Sequence, residues 1–135
     1  DDAIRRTRIA LKRGTLKGIL WHQGVSDCKP ELASKYRAAL AELVARFRTD
    51  LEASNVPFIL GQLGEFPGAP WDDTTREIDR AIQRVARDLP RVGFVPAREL
   101  SSKPDNLHFD SASLRDFGRR YYNVLRLTHP VATHD

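Results

Sequence analysis

The sequence predicts an α/β fold, a three-layer αβα sandwich in which helices cover both faces of a parallel sheet. Segments with the three- and four-residue apolar spacing of amphipathic helices alternate along the chain with short apolar runs typical of strands. Those runs lack the alternation of a strand with one wet face, which indicates strands buried on both sides. Because the 135 residues contain neither an internal repeat nor a linker, we expect a single domain over 1–135.

Two helix–strand pairs occupy the first half of the chain. Residues 2–13 are predicted to form a helix that stops at Gly14, and 17–23 form a short buried strand. A longer amphipathic helix is predicted over 31–53, and 56–60 forms the second strand. The apolar stripe of the longer helix consists of Leu32, Tyr36, Leu40, Leu43, Val44, Phe47 and Leu51.

The second half of the chain repeats this pattern with longer loops. A loop rich in Gly and Pro covers 61–73. The capping-box spacing of Thr74 and Glu77 predicts that the third helix begins there. Residues 92–95 then form the third strand.

A polar loop over 96–109 leads to the last helix. That helix is expected to begin near Asp110 or Ser111, and the tail from His129 onward is expected to fray. Right-handed crossovers bring the segments that follow the three strands to one edge of the sheet, where open α/β folds bind ligands. These segments are 22–24, 62–71 and 105–108.

The composition, 41% apolar and 30% charged, is that of a globular chain. No apolar run approaches the roughly 18–20 residues that cross a bilayer. The net charge is +4, but no aromatic residues interleave with the basic cluster near the start, where Arg5, Arg8 and Lys12 share one solvated helical face. We therefore expect neither a membrane nor a nucleic-acid partner. The absence of Met suggests a processed start, and we slightly favour a secreted or periplasmic location.

Asp105 and His108 are the main catalytic candidates. A histidine becomes a useful general base when a carboxylate fixes its tautomer and stabilises the imidazolium, and an Asp-x-x-His loop supplies both groups. The nucleophile is less obvious. Ser26 lies in a Gly-x-Ser-x-Cys segment over 24–28 that lacks the last Gly of a nucleophile elbow, so we favour a helix-entry role for this serine. Cys28 is a further alternative, although nothing near it in sequence would lower the pKa of its thiol.

The loop over 61–71 is long enough to line a substrate cleft. Its candidate substrate-binding residues are Gln62, Glu65 and Trp71, and the ring of Trp71 or Phe66 could stack against a sugar. The alternative is that these aromatic side chains fill the core beneath the loop. The four His residues show no metal-ligand spacing, and neither a metal nor a cofactor is expected.

Two segments of the chain resemble motifs of a known family. Residues 21–27, WHQGVSD, resemble the W-H-Q-G-E-[ST]-D block of the SGNH hydrolases, in the branch of sialate O-acetylesterases and acetylxylan esterases. Residues 105–109, DNLHF, resemble the D-x-x-H-F block of that branch. The resemblance implies that His108 is the general base, Asp105 its orienting carboxylate and Gln23 an amide donor to the oxyanion. Each residue also has a structural alternative. His108 could be a histidine at a helix entry, Asp105 could form a turn within the loop, and Gln23 could make a hydrogen bond at the end of its strand.

The chain departs from the family pattern at two places. Val25 stands where the family has Glu, which removes a carboxylate beside the oxyanion donor. The family's nucleophilic serine lies in a Gly-Gln-Ser-Asn-like block, and no such block occurs in the 135 residues. The resemblance implies a flavodoxin-like SGNH fold with five strands, of which this chain supplies about three. We therefore expect 1–135 to be the C-terminal portion of the domain, with the missing N-terminal part as its partner, in the same polypeptide or in a second chain.

The resemblance and the two motifs together predict a serine esterase that removes acetyl groups from carbohydrates such as acetylxylan or sialic acid. Its serine is expected upstream of this chain, so the 135 residues alone are expected to be inactive. The alternative is a non-catalytic carbohydrate-binding or scaffold module that has kept the hydrolase fold without a nucleophile, and Val25 is its best support.

Overall fold

The computed structural model describes residues 2–128, which form helices and strands in the predicted alternating order. The elements are α1 Asp2–Ala10, β1 Ile19–Trp21, α2 Pro30–Asp50, β2 Phe58–Gly61, α3 Asp73–Asp88, β3 Val92–Val95 and α4 Ser111–Thr128, with a 3-10 turn at Val25–Asp27 after β1. The tail that was expected to fray, with His129 and His134, lies outside the described residues. None of the helices within 2–128 is long and apolar enough to span a membrane.

The three strands of the described chain form one parallel sheet in the order β1-β2-β3. Phe58 of β2 pairs with Ile19 on one side and with Val92 on the other. Parallel neighbours need crossover connections, and α2 and α3 provide them. The α/β class with a parallel sheet is confirmed.

β2 lies at the centre of this sheet and is buried along its whole length. Phe58 and Leu60 belong to an apolar cluster with α2 and α3, whereas Ile59 belongs to a second cluster with α4. Successive side chains of a strand point to opposite faces, so both faces of the sheet are covered by helices. The two clusters include Tyr36, Leu40, Val44, Ile78, Ile82 and Val85 on one side and Val95, Phe109, Phe117 and Tyr121 on the other. This burial explains why β2 shows no polar alternation in the sequence.

The first and last helices differ in how well their ends were predicted. α1 ends at Ala10, earlier than the predicted helix over 2–13, because the backbone bonds beyond it include i→i+3 bonds that tighten the last turn. α4 begins at Ser111, within the predicted boundary. Oδ1 of Asp110 accepts a hydrogen bond from the backbone N–H of Ser113 at 2.7 Å, which caps that helix.

The start of α3 corrects the predicted capping box. The helix begins at Asp73, and Oδ1 of Asp72 accepts hydrogen bonds from both the backbone N–H and the hydroxyl of Thr75, each at 2.7 Å. Asp72 is therefore the N-cap, and the expected role of Thr74 and Glu77 is wrong. An Asp in the extended conformation satisfies the first free N–H groups as well as the predicted Thr would have done.

α4 packs closely against the sheet at Gly61, the last residue of β2. A Cβ atom at this position would clash with the hydroxyl and ring of Tyr121 and approach the ring of Phe117. The Tyr121 hydroxyl donates a hydrogen bond of 2.8 Å to the carbonyl of Trp21 in β1. The absence of a side chain at Gly61 thus lets one residue of α4 reach across β2 to the next strand.

β1 is an edge strand of the described sheet. It pairs with β2 on one side, and no strand within residues 2–128 pairs with its other side. Leu20, in the middle of β1, is 58% exposed. An unpaired strand with exposed apolar side chains is a template on which a further strand can add.

Candidate active site

Asp105 and His108 lie on a tight hairpin loop that follows β3. An isolated antiparallel bridge between Ser102 and Phe109 closes this loop. Asn106, between the two candidates, has a positive φ of 52°, a left-handed conformation that asparagine tolerates better than most residues. The local turn geometry is therefore sufficient to bring the carboxylate and the imidazole together.

The carboxylate of Asp105 is held by hydrogen bonds from two neighbouring residues. Its Oδ1 accepts from the backbone N–H groups of Leu107 and His108, each at 2.9 Å, and its Oδ2 lies 2.9 Å from Nδ1 of His108. The pKa of Asp105 lies far below its ordinary value of 3.8. The main cause is the hydrogen bond from the backbone N–H of His108, followed by those from the His108 side chain and the backbone N–H of Leu107. The ionised carboxylate requires Nδ1 of His108 to be the donor, which leaves Nε2 as the basic nitrogen.

Gln23 follows β1 and is fixed by Tyr36 of α2. The Tyr36 hydroxyl lies 2.7 Å from the Gln23 carbonyl and 3.2 Å from its Oε1, and Gln23 Nε2 donates to Oδ2 of Asp27 at 2.8 Å. Burial raises the pKa of Tyr36 to about 12, so its hydroxyl remains a donor. The Gln23 amide therefore has a defined orientation with one of its two N–H groups in use. The other has no partner within residues 2–128, which leaves it to donate to a ligand.

Gln23 and His108 line one cavity of about 690 Å³, where the loops that follow the three strands meet. The carboxylate of Asp105 stands behind the imidazole and is not part of the cavity wall. The structure therefore brings to one cavity an imidazole and an amide that lie far apart in the sequence. Further wall residues include His22, Val25, Ser26, Cys28, Leu63, Phe66, Trp71, Leu107, Phe109 and Leu114.

The loop between β2 and α3 contributes one of its predicted substrate-binding residues to this cavity. Trp71 lines the wall, and its indole N–H donates to a backbone carbonyl of the same loop at 2.7 Å. Phe66 also reaches the wall, but it is only 3% exposed and packs edge-on against Phe109, so it is mainly a core residue. Glu65 is not in the wall, since its carboxylate faces Arg76 at 3.7 Å.

Gln62 does not take the predicted substrate-binding position, because both ends of its amide are bonded within the protein. Oε1 accepts from the backbone N–H of Ala97 at 2.9 Å, and Nε2 donates to the carboxylate of Asp79 at 3.3 Å. The backbone carbonyl of Gln62 also lies 3.1 Å from Nε2 of His22. Gln62 instead ties the end of β2 to the segment after β3 that leads to the Asp105 loop.

Asp79 of α3 is a buried acid beneath this network. It is 4% exposed, its Oδ2 accepts from the side-chain amides of Gln62 and Gln83, and its Oδ1 has no hydrogen-bond partner within residues 2–128. Burial raises the pKa of Asp79 above its ordinary value, against the opposing effect of the two amides. The protonated form is therefore favoured by folding.

A pH dependence of stability follows from the raised pKa of Asp79. A group whose pKa is higher in the folded than in the unfolded state contributes stability below its unfolded pKa, near 3.8 here, and this contribution is lost as the pH rises through the folded pKa. We expect the unfolding free energy of the wild type, relative to the non-titrating variant Asp79→Asn, to increase when the pH is lowered from neutrality. Urea unfolding of both proteins at several pH values measures this difference. A difference that stays constant, or falls on acidification, would contradict the assignment.

Ser26 and Cys28, the alternative nucleophiles, also line the cavity. No hydrogen bond joins Ser26 to His108 in the described part of the chain. The thiol of Cys28 donates to the carbonyl of Gly24 at 3.5 Å, and burial raises its pKa. Cys28 is therefore a protonated thiol near neutral pH, which disfavours it as a thiolate nucleophile.

Sequence reasoning did not connect Tyr36 or Asp79 with the site. Tyr36 falls on the predicted apolar stripe of its helix, where spacing assigns it to the core, yet its hydroxyl positions Gln23. Asp79 directly follows the buried Ile78 on the core side of α3. An acid on the apolar face of a helix is the one signal in the sequence that could have indicated a buried polar network.

Comparisons with known proteins agree with this architecture. A family model described as carbohydrate esterase, sialic acid-specific acetylesterase, matches residues 1–126. A protein of Arabidopsis thaliana named as a probable carbohydrate esterase is 30% identical over 120 residues, which cover 87% of this chain and 44% of that protein. The chain thus spans less than half the length of this relative.

Solved structures share the fold of the chain. A structure from Arabidopsis thaliana has a TM-score of 0.79 at 24% identity, over 93% of this chain and 51% of that one. A carbohydrate acetylesterase from Xanthomonas citri has a TM-score of 0.73 at 23% identity, over 87% of this chain and 27% of the other. A salicylyl-acyltransferase from a tetracycline biosynthetic pathway has a TM-score of 0.61 at 17% identity, over 92% of this chain and 41% of the other. These likenesses show that the sheet and its helices share the fold of the three structures. With the family match over residues 1–126, the resemblance of the two motifs is confirmed, and the chain belongs to the carbohydrate esterase, sialic acid-specific acetylesterase family.

Proposed function

We propose that this chain carries the acid–base part of a serine carbohydrate O-acetylesterase. The observation that supports the proposal most directly is the Asp105–His108 pair, joined at 2.9 Å, whose imidazole lines the same cavity as the amide of Gln23. An ester hydrolase needs a base that activates a hydroxyl and a donor that stabilises the oxyanion. Acetylated sugars such as acetylxylan or acetylated sialic acid are the proposed substrates, and no cofactor takes part.

In the proposed mechanism, Nε2 of His108 takes the proton of a serine hydroxyl as the serine oxygen attacks the acetyl carbonyl carbon. The free N–H of Gln23 donates to the oxyanion of the tetrahedral intermediate, and Asp105 stabilises the imidazolium. When the intermediate collapses, the C–O bond to the sugar breaks and His108 returns its proton to the sugar oxygen. Water, deprotonated by His108, then attacks the carbonyl carbon of the acetyl-serine. The bond to the serine oxygen breaks, His108 returns its proton to that oxygen, and acetate leaves.

The serine is proposed to lie in a segment outside the 135 residues that packs beside β1. Three observations support this: the chain has no Gly-Gln-Ser-like block, β1 offers an unpaired edge with Leu20 exposed, and the Arabidopsis relative is more than twice as long as its matched part. The segment either precedes residue 1 in the same polypeptide or belongs to a second chain. In either case it would supply the strand that covers the edge.

Replacing Ser26 by alanine distinguishes this arrangement from an internal nucleophile. Ser26 is exposed on the 3-10 turn and makes no hydrogen bond within residues 2–128. We therefore expect Ser26→Ala to lower kcat for acetate release, in the protein as its gene encodes it, by less than about tenfold, because only an exposed hydroxyl is removed. A loss of several hundredfold would instead identify Ser26 as the nucleophile.

The proposal is tested by measuring acetate released from acetylated xylan and from acetylated sialic acid by the full-length gene product. Release well above the buffer background supports the esterase, whereas the 135 residues alone are expected to match the background. If the full-length protein releases acetate from neither substrate, the second candidate is favoured, a carbohydrate-binding module without activity. Val25 supports that candidate, since it places an apolar side chain, 48% exposed, in the cavity wall.

A further inference from the structure

His22 is a cavity residue that the proposed mechanism does not use. It directly follows β1, and its ring packs against Phe109 at 5.8 Å and edge-on against Phe117 at 5.4 Å between ring centroids. Although one side of the ring is packed in this way, the residue as a whole is exposed and lines the cavity with His108. The imidazole is therefore held in place and accessible to a bound molecule.

The hydrogen bond to Gln62 determines which nitrogen of His22 carries the proton. Nε2 lies 3.1 Å from the Gln62 backbone carbonyl. A carbonyl oxygen can only accept, so Nε2 is the donor. Packing against the two Phe rings buries part of the imidazole, and this burial lowers the pKa of His22, so the ring is neutral near neutral pH. Nδ1 then has a lone pair, and it has no hydrogen-bond partner within residues 2–128.

We propose that Nδ1 of His22 accepts a hydrogen bond from a free hydroxyl of the sugar and so selects for hydroxyl-bearing acetate esters. The inference rests on the proposed function and adds a specificity-determining residue to it. A neutral acceptor matches a hydroxyl donor, whereas it offers nothing to a carboxylate or phosphate, which can only accept. Much of the cavity wall is apolar, including Val25, Leu107 and Leu114, so an accessible acceptor there discriminates between a sugar and an apolar alcohol.

Two variants separate the acceptor from the bond to Gln62. In His22→Asn the side-chain amide lies near the position of Nδ1, whereas in His22→Gln it reaches toward the Gln62 carbonyl and leaves the Nδ1 position empty. Both variants lose the aromatic ring, so they share the loss of packing against Phe109 and Phe117. Any difference between them therefore reports on the acceptor.

The experiment compares kcat/KM of the full-length gene product for a xylose monoacetate, which has free hydroxyls, and for p-nitrophenyl acetate, which has none. We expect the ratio of kcat/KM for the sugar ester to kcat/KM for the aryl ester to fall roughly tenfold in His22→Gln, chiefly because KM for the sugar ester rises. In His22→Asn the same ratio is expected to fall by no more than about threefold. Thermal unfolding checks that both variants are folded.

The ratio decides the proposal. An unchanged ratio in His22→Gln overturns the proposal. If the ratio is unchanged because kcat/KM falls equally for both esters, His22 acts on the chemical step instead. If the wild type hydrolyses neither ester, the proposed esterase function fails, and ¹⁵N NMR of the wild type with xylose still tests His22. A shift of the Nδ1 resonance on addition of xylose would support the hydroxyl contact, and no shift at saturating xylose would overturn it.

Discussion

Replacing His108 by alanine is expected to lower kcat for acetate release by about a thousandfold or more in the full-length gene product. The imidazole is the proposed base for both the serine and the water, and positioned acid–base catalysis contributes roughly 10²–10⁴ in rate. Asp105→Asn is expected to cause a loss of similar size. The amide oxygen would keep the backbone bonds of the loop, but an amide N–H beside Nδ1 cannot accept its proton and would favour the tautomer in which Nε2 is no longer basic.

A matched control for these variants lies in the same part of the chain. Asp110 is also an acid with a lowered pKa, chiefly because its carboxylate accepts the backbone N–H of Ser113, but it does not line the cavity. Asp110→Asn removes the same charge and keeps a residue that caps helices well, so we expect kcat within about threefold of the wild type. If His108→Ala and Asp105→Asn both retain more than a tenth of the wild-type kcat, the assignment of the base is wrong.

Phe58→Ala is expected to lower the free energy of unfolding by about 3–5 kcal/mol. Phe58 is fully buried on the central strand and packs edge-on against Phe47, at 5.9 Å between ring centroids. Truncation leaves a cavity between the sheet and the helices α2 and α3, which cannot close without moving several elements. The loss is large beside a typical stability of about 5–15 kcal/mol, so the variant is expected to be close to unfolding at 37 °C.

Phe94→Ala serves as the control for this prediction. Phe94 is a residue of the same type on the neighbouring edge strand β3, but it is only partly buried. Its truncation removes less apolar surface from the core, and we expect less than half the loss seen for Phe58→Ala. Urea unfolding of the three proteins at one pH measures both values. Equal losses would show that the core is not centred on β2.

The strands could be placed from the sequence because short apolar runs between loops leave few alternatives. The predicted third strand over 92–95 has the bounds of β3, and the run over 56–60 overlaps β2. Helix ends were harder to predict, since each depends on a single capping bond. Asp72 and Thr74 are both good caps, and spacing alone does not reveal which of them turns its oxygen toward the free N–H groups.

The candidate site divides in the same way between local and distant interactions. The contact between Asp105 and His108 lies within one turn, so the Asp-x-x-His pattern was sufficient to predict that they meet. Gln62 does not line the cavity, because its partners come from other elements, Asp79 from α3 and Ala97 from the segment after β3. A strand buried on both faces gives no alternation from which the direction of the side chain that follows it could be inferred.

If the proposed mechanism holds, the hairpin that closes at Ser102 and Phe109 makes proton transfer and substrate choice separable properties. The carboxylate, the imidazole and the amides that align them all belong to one short stretch, whereas most of the cavity wall comes from other parts of the chain. Exchanges at Val25, Trp71 or Leu114 are therefore expected to change which ester is accepted while the proposed catalytic pair stays intact. Such positions are the natural starting points for redirecting the scaffold toward other acyl or alcohol groups.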